Sequence, residues 1–368
     1  MKGFFTYLSR YPDKKYSTRL FRRTYVRERF RLKEAALGGN LTLGKEELRL
    51  VRDFWKDIKV DPKYEALYNR THRPQQAFDP RYIPDDLHQC YIDPYYNNVI
   101  ASGWFDDKNL YDIIFADLPR PGTLVRKIDG SLMDEAFRPL TAEAALARCQ
   151  AVDEVVVKMP IFSQGGKGVF IVDARKNPAQ LMDLLEAWRY AVVQPVIRQH
   201  AALSAIHPQS INTIRIMSLL HRGEVYILST ILRMGQGESR VDNAAQGGLV
   251  CGIGPDGCLK KTIYDGDGRV VARHPLGIET EGYRIPGVEK CWELVKATAS
   301  RLSRSTKMPS WDFAIDENGN PVFIEINLAF GELDFHQMAN GPLFGDLTRE
   351  VIDEVFANPT KKWIRKLF

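Results

Sequence analysis

Cysteine is scarce in this chain. Of 368 residues only Cys90, Cys149, Cys251, Cys258 and Cys291 are cysteine, and no two form a CxxC pair. An odd, widely spaced set excludes a disulfide framework and a zinc knuckle, and it predicts a reducing cytoplasmic setting. Long apolar runs are also missing. No stretch of about 18 uncharged apolar residues exists, so no membrane span is expected. The opening MKGFFTYLSRYPDKKYSTRLFRR has no unbroken apolar core, so a secretory leader is not expected. HExxH, GxSxG and GxxxxGK[ST] are all absent, which argues against a zinc protease, a serine hydrolase and a P-loop enzyme. The histidines are scattered, and no cysteine or serine carries the local signature of a covalent nucleophile.

What is present supports a sizeable core. Hydrophobic residues make up 44% of the chain, and its length fits one to three domains. The net charge of +5 is modest but uneven. Residues 14–33, KKYSTRLFRRTYVRERFRLK, are densely basic with Tyr, Phe and Leu between the charges. Two readings stand: a solvated helix face with ordinary aromatic packing, or a peripheral contact with an acidic membrane surface or anionic polymer at the inner membrane face. No nucleic-acid motif accompanies the run, so no nucleic-acid partner is expected.

The pattern divides the chain into a mainly helical, then loop-rich stretch (1–95), a mixed stretch (96–195) and a strand-rich stretch (196–368). Helical spacing is clear at Leu48, Val51, Phe54 and Trp55. After a Pro- and Tyr-rich passage, DDKNLYDIIFADL reads as a helix, Thr123 to Ile128 as a strand, and the segment after Thr141 as a helix with Thr141 at its N-cap. EVVVKMPI and VFIVDA read as strands around a glycine turn at 163–168. PAQLMDLLEAWRYAVV follows Asn177-Pro178 as a helix with an apolar stripe of Leu181, Leu184, Leu185 and Trp188. Further on, SINTIRIMSLL, EVYILSTILRMG and GGLVCGIG alternate as strands, with helices at about 287–304 and 347–356. The order is α+β.

The most informative stretch is 311–331, WDFAIDENGNPVFIEINLAFG. Asn318-Gly319 is a strong hairpin dipeptide. If those two residues form the loop, Glu317 faces Asn320, Asp316 faces Pro321 and Asp312 faces Glu325. Residues so placed sit roughly 4.5–5.5 Å apart at Cβ, and Asn327 shares their face. The other face, with Trp311, Phe313, Ile315, Val322, Ile324 and Ile326, reads as core. Two facing carboxylates repel unless a cation lies between them, and carboxylates with an amide oxygen suit Mg²⁺. A solvated hairpin edge with incidental acids is the plainer alternative. It fits poorly with a half-buried strand pair, because a buried acidic pair needs a partner.

Three other segments could carry chemistry. Lys158 lies mid-strand just ahead of the glycine turn, where backbone N–H groups and one lysine charge could hold phosphates; an ordinary glycine hairpin with Lys158 on the wet face is the alternative. AVVQPVIRQH (191–200) could present its backbone to a flat heterocycle, or serve as a plain connector. Arg215 within an apolar strand needs an anionic partner, either a ligand or an internal salt bridge. Ser210, Asn212, Arg233, Asp242 and Asn243 lie nearby in sequence.

This order of parts resembles the ATP-grasp superfamily over about residues 100–346. HPQSINTIRIMSL, VDNAAQGGLVCGIGPDG and WDFAIDENGNPVFIEINLAFGELDFHQMANGPLFGD look like the shared blocks of its sugar-transfer-associated branch. The resemblance implies a two-lobed fold with ATP between the lobes, preceded by a helical region. It assigns Lys158 to the α/β-phosphates, and Ser163, Gly165, Gly166 and Gly168 to a loop over them. Gln194, Val196 and Ile197 become the adenine hinge. Gln199 or His200 falls where a ribose-binding acid is usual, and that acid is missing here. Asp312, Glu325 and Asn327 match the metal positions. Arg215, Arg233 and Asn243 would face the γ-phosphate or acceptor, and Lys127 or its neighbour Arg126 would be an earlier phosphate contact. The implied activity is an ATP- and Mg²⁺-dependent, ADP-forming carboxylate–amine ligase working through an acylphosphate, with a sugar acid and an amino acid or amine of surface-polysaccharide assembly as substrates. A small-molecule or sugar kinase on the same lobes, and a non-catalytic nucleotide-binding scaffold, are the alternatives.

Overall fold

The structure is a computed structural model that describes residues 19–39, 41–72, 77–98, 102–161, 168–240, 242, 247–302, 306–329 and 331–357, with the backbone alone at 19–22 and 72. Ser163, Gly165, Gly166 and Asn243 lie outside the described residues.

Three helices come first: α1 (Arg19–Ala36), α2 (Lys45–Phe54) and α3 (Pro62–His72). In α2, Glu46 and Glu47 sit in the first turn, where acids complement the positive helix end. Its apolar residue Val51 packs with Trp55, Ile83 and Ile92 against Met217 and Leu219, so this region closes onto the strand-rich half. In the described part of the basic run, Arg23, Arg27 and Arg31 are exposed and Phe30 packs against Tyr64, while Arg29 and Lys33 of α1 both pair with Asp334, Arg29 at 3.6 Å.

The first sheet holds β1 (Val125–Ile128), β2 (Ser131–Met133), β3 (Val155–Lys158), β4 (Val169–Val172) and β5 (Ala191–Pro195) in the order β2-β1-β5-β3-β4, all antiparallel. Helices α4 (Ala142–Gln150) and α5 (Pro178–Ala187) cover one face. Val125, Val155, Val157, Ala191 and Val193 meet Ala145, Cys149, Leu181 and Leu185 there. Strand side chains alternate between faces, so Arg126, Lys158, Val192 and Gln194 take the opposite one. Thr141 caps α4 as expected, accepting from the Ala144 N–H at 3.2 Å.

The second sheet holds β6 (Thr213–His221), β7 (Glu224–Met234), β8 (Leu249–Ile253), β9 (Leu259–Tyr264), β10 (Val270–Val271), β11 (Ser310–Ile315) and β12 (Pro321–Asn327), in the order β10-β9-β8-β7-β6-β11-β12. Helices α6 (Ala201–Ile206) and α7 (Val288–Ala299) cover one face, over Ile214, Ile216, Leu232, Trp311 and Phe313. Helix α8 (Leu333–Asn340) lies on the other face over Ile231, Val250 and Tyr264, while α9 (Thr348–Ala357) packs near Met217 and Leu219.

Two readings of the chain need correction. DDKNLYDIIFADL is not one helix but two 3₁₀ turns, Gly103–Asp106 and Lys108–Leu110, followed by a single helical turn, Tyr111–Ile114. Asp107 caps the second turn by accepting from the Asn109 N–H at 2.9 Å, which breaks the helical repeat. Phe105, Tyr111 and Phe115 anchor the segment in the core instead. The helix after Pro178 stops at Ala187, and Ala191–Val193, included in its pattern, belong to β5.

The hairpin departs from a two-residue loop. Asp316 donates its N–H to the Asn320 carbonyl at 2.9 Å, and Ile315 pairs with Pro321, leaving Glu317, Asn318 and Gly319 as the loop. Gly319 has φ +78°, which glycine adopts without strain. A three-residue loop shifts the register by one. A β-bulge on β12, between the Phe313 and Asp312 pairings, shifts it back, because Phe313 pairs with Phe323 while Asp312 pairs with Glu325. The bulge absorbs Ile324, so Phe323 enters the core in place of Val322 and Ile324, which are half-buried.

Candidate active site

Asp312 is the centre of the site. It sits on β11 directly across from Arg215 of β6 and on the other side from Glu325 of β12, on the sheet face opposite Trp311 and Phe313. Arg215 grips it with two bonds, Nε to Oδ1 at 2.7 Å and Nη2 to Oδ2 at 2.6 Å. Arg233 adds a contact from Nη1 to Oδ2 at 3.3 Å. The remaining Arg215 nitrogen, Nη1, lies 2.6 Å from Glu332, and Arg233 reaches Asp242 at 3.5 Å. The Asp312 and Arg215 side chains are 3% and 6% exposed, so the pair is essentially dry. Burial works against the Arg215 charge, and Asp312 and Glu332 more than offset it, raising its pKa.

Glu325 is paired with Lys108, Nζ to Oε2 at 2.8 Å. Burial works against its ionisation. Lys108, with Arg215 and Lys158 behind it, prevails and holds the carboxyl below its ordinary range. Lys158 lies in the same field. Burial first, and the neighbouring Lys108 second, push its ammonium down to about 8, with Glu325 pulling the other way. Asp106 is raised to about 7, by burial above all, with Lys108 opposing and Glu325 adding to the rise. Lys158 of the first sheet, Arg215 and Arg233 of the second, and Lys108 of the turn ahead of β1 thus converge on Asp312 and Glu325.

Asn327 closes the set on β12, opposite Ser310. Its Nδ2 and the Ser310 hydroxyl are buried without a hydrogen-bond partner among the described residues. Orphaned polar atoms beside two carboxylates mark a place where a polar ligand belongs. The donor chemistry of Asp312, Glu325 and the Asn327 amide, all hard oxygens, fits Mg²⁺.

Other expected residues fall in varied places. Lys127 does not share the face of Lys158: it is buried on the helix side of β1, donating to the Leu185 carbonyl at the end of α5. Arg126 shares the face of Lys158, since both are paired with Val192. Its guanidinium is already committed to the Asp134, Asn109 and Glu135 carbonyls and to Asp112, and lies over the Phe137 ring. Gln194 donates to the Pro121 carbonyl at 3.2 Å, and the Val196 N–H goes to Glu154 at 3.0 Å. Ile197 follows, half-buried, and Gly168 (φ +76°) ends the glycine turn against Met159 and Trp188. His200 caps α6, its Nδ1 accepting from the Ala202 N–H at 3.1 Å. Gln199 is structural: it donates to the His207 and Ser210 carbonyls and accepts from Asn212.

Two site residues carried no sequence signal of their own. Lys108 stands alone in DDKNLYD, outside any motif. Glu332 follows Gly331 with φ +62°, a left-handed conformation that is uncommon outside glycine and worth noting beside a functional cluster. A Cβ on Gly331 would meet Ser310 Oγ at 2.3 Å and Met217 Cε at 2.8 Å, so a side chain there would push Ser310 and Met217 aside.

Among solved structures, the chain is similar to D-cycloserine synthetase DcsG at 15% identity and TM-score 0.41, covering 70% of this chain and 73% of that one. It is similar to the ATP-grasp ligase PsnB, solved with Mg and ADP, at 15% and 0.41, covering 71% and 61%. It is also similar to an L-amino acid ligase from Bacillus licheniformis at 14% and 0.39, covering 86% and 62%. The chain thus spans less than two thirds of the last two proteins. No curated protein matches the chain by sequence. The model of the sugar-transfer associated ATP-grasp family matches residues 88–351, most of the chain and all of the cluster around Asp312. This chain belongs to the sugar-transfer associated ATP-grasp family.

Proposed function

We propose that the protein is an ATP- and Mg²⁺-dependent, ADP-forming ligase that joins a carboxylate to an amine through an acylphosphate. The supporting observation is the convergence of Asp312, Glu325 and Asn327 of one sheet with Lys158 of the other. In this reading the N-terminal lobe runs from 96 to 195 and the C-terminal lobe from 196 to 368, after a helical region of 1–95. ATP lies between the lobes. Gln194 to Ile197 border the adenine, His200 lies toward the ribose, and Lys158 with the glycine turn 163–168 holds the phosphates.

Asp312, Glu325 and Asn327 would hold Mg²⁺, which on binding neutralises charge on the transferring phosphoryl group. The chain's residues supply the rest. Lys158 places a point charge beside the phosphates, and their anionic oxygens restore its proton affinity. Arg215 and Arg233, fixed by Asp312, Glu332 and Asp242, present preorganised guanidinium charge that needs no reorganisation during transfer. Asn243 is assigned to the acceptor side. The acid's carboxylate oxygen takes the γ-phosphoryl group and ADP leaves. The amine then attacks the acyl carbon, and phosphate departs with the new amide in place.

The substrate class within this reading is a sugar acid and an amino acid or amine of surface-polysaccharide assembly; its support is the family's association with sugar transfer. A cytoplasmic site with peripheral contact at the inner membrane face belongs to the same reading. Among the described residues, no helix is long and apolar enough to cross a membrane.

The test is ADP release on mixing the protein with Mg-ATP, uronic acids and amino acids, with mass spectrometry of the product. Amide formation with one ADP per product is the expected result. A phosphorylated acceptor would make the protein a kinase, and ATP binding without turnover across the panel would make it a scaffold.

A further inference from the structure

Among the described residues, Lys108 is the one strong cation at these carboxylates that comes from neither sheet. It sits in the 3₁₀ turn Lys108–Leu110, ahead of β1, with only 7% of its surface exposed. The turn is fastened on every side. Its first N–H goes from Lys108 to the Pro160 carbonyl at 3.1 Å, just past the end of β3. Asp107 caps it, and Arg126 of β1 donates to the Asn109 carbonyl. Three residues on, the Tyr111 hydroxyl accepts from the Ile326 N–H of β12 at 3.3 Å. Phe115 packs edge-on against Phe323, and the Phe323 N–H goes to the Pro119 carbonyl at 2.7 Å. Residues 107–119 therefore form a strap from the first sheet to the hairpin edge of the second. Lys108 is held where the strap passes Glu325.

We propose, resting on the ligase reading above, that Lys108 is a built-in stand-in for the divalent cation at Glu325. In the nucleotide-free protein its ammonium neutralises the carboxylate that the metal would otherwise claim, at 2.8 Å. Metal entry at Glu325 then requires this ion pair to open. A free carboxylate in a dry site would draw a cation strongly, whereas a paired one does not. The phosphates of ATP tip the exchange, because they offer the displaced ammonium an anionic partner and the metal additional oxygens. The site is thereby biased to take its metal together with nucleotide rather than alone. The strap makes this local: the turn's backbone is tied at Pro160 and Asn109, so the pair opens by movement of the lysine side chain rather than of the turn.

The experiment titrates Mn²⁺ alone, followed by electron paramagnetic resonance, into nucleotide-free wild-type protein and into Lys108→Met and Lys108→Arg variants whose circular dichroism matches wild type. The titrations are repeated with a non-hydrolysable ATP analogue. Wild type and Lys108→Arg are expected to bind Mn²⁺ weakly alone, and Lys108→Met to bind it about tenfold or more tightly, because its carboxylate is left unpaired. With the analogue present the difference should shrink. Unchanged or weaker binding of Mn²⁺ alone by Lys108→Met overturns the proposal. Tight binding of Mn²⁺ alone by wild type also overturns it, and needs no variant. If wild type takes no Mn²⁺ even with the analogue, the ATP-site reading itself fails, a result distinguishable from the other two.

Discussion

Asp312→Asn tests whether the charge cluster is held together as described. The substitution keeps size and removes one negative charge from between Arg215 and Arg233, two buried guanidiniums. Arg215 retains Glu332 at 2.6 Å, and Arg233 retains Asp242 at 3.5 Å, so neither is left bare. Removing one partner of a buried pair costs about 3–5 kcal/mol, and the retained acids place this case near the lower end. With an unfolding entropy of about 2.1 cal/mol/K per residue, a chain of 368 residues loses roughly 4 °C of melting temperature for 3 kcal/mol. Calorimetry or a circular-dichroism melt reads this directly. A double-mutant cycle with Arg215→Met isolates the pair, and a coupling of about 1–3 kcal/mol is expected for residues in bidentate contact. The same variant should lose ATP turnover. A melting temperature within about 1 °C of wild type, with a coupling below about 0.5 kcal/mol, would refute the buried ion pair whatever happens to turnover.

Lys158→Met should weaken ATP binding about tenfold or more in an isothermal titration, since it removes a phosphate charge from a low-dielectric site. Lys158 also predicts a pH dependence. Its folded pKa, about 8, lies below its ordinary 10.5. Below about pH 8 it is charged in both folded and unfolded protein and the burial penalty is fully present. Between about 8 and 10.5 only the unfolded protein keeps the proton, so nucleotide-free stability should rise with pH across that window relative to Lys158→Met, by at most about 3 kcal/mol; a flat difference in chemical denaturation would count against it. Gln199→Ala should lower stability by about 1–3 kcal/mol by taking the acceptor from the buried Asn212 N–H, while the His207 and Ser210 carbonyls keep Asn212 Nδ2, yet leave nucleotide affinity unchanged, and a matching loss of affinity would restore Gln199 to the ribose. Lys127→Met should leave ATP affinity near wild type, whereas Phe323→Ala should destabilise the hairpin core by about 3–5 kcal/mol in a denaturant melt.

The hairpin shows how far pattern alone can reach. Pairing arithmetic from Asn318-Gly319 brought Asp312 opposite Glu325, and the structure has that pair, by a different route. The loop takes three residues because Asp316 accepts from the N–H groups of Asn318 and Asn320, stabilising a wider turn. The bulge then restores the register. Neither device is visible as periodicity, because a one-residue slip and a one-residue bulge cancel at Asp312 and are exposed only by which of Val322, Phe323 and Ile324 is buried. Arg126 and Lys127 pose the same problem at smaller scale. Both are basic, and only the pairing of β1 with β5 decides that Arg126 shares the face of Lys158 while Lys127 meets the end of α5. The long strands β6 and β7 were legible because apolar, β-branched runs flank a tight turn at Arg222-Gly223, which leaves little but an antiparallel pair for that sequence to form. The 3₁₀ turns around Lys108 were not, because a single capping aspartate overrides a weak helical repeat.

The cluster also explains why the site residues could be named while their partners could not. Asp312 and Glu325 belong to a pattern that a hairpin repeats, so sequence finds them. Their counter-charges come from β6, β7, β3 and a turn ahead of β1, separated by 97 residues for Arg215 and by far more for Lys108. Asp312 could have been neutralised by a ligand alone, and instead the chain neutralises it internally with Arg215 and Arg233. A fixed guanidinium pair cannot leave, so at Asp312 the protein retains permanent positive charge beside whatever binds. Glu325 is different, because among the described residues its ion-pair partner is Lys108, a lysine on a flexible stem that can let go. The two carboxylates are thus chemically unequal despite facing each other across one strand pair. Asp312 fixes the arginines, and Glu325 is the one with an exchangeable partner. That inequality follows from arginine at one position and lysine at the other. Exchanging the two cation types would therefore be expected to alter ligand exchange more than fold.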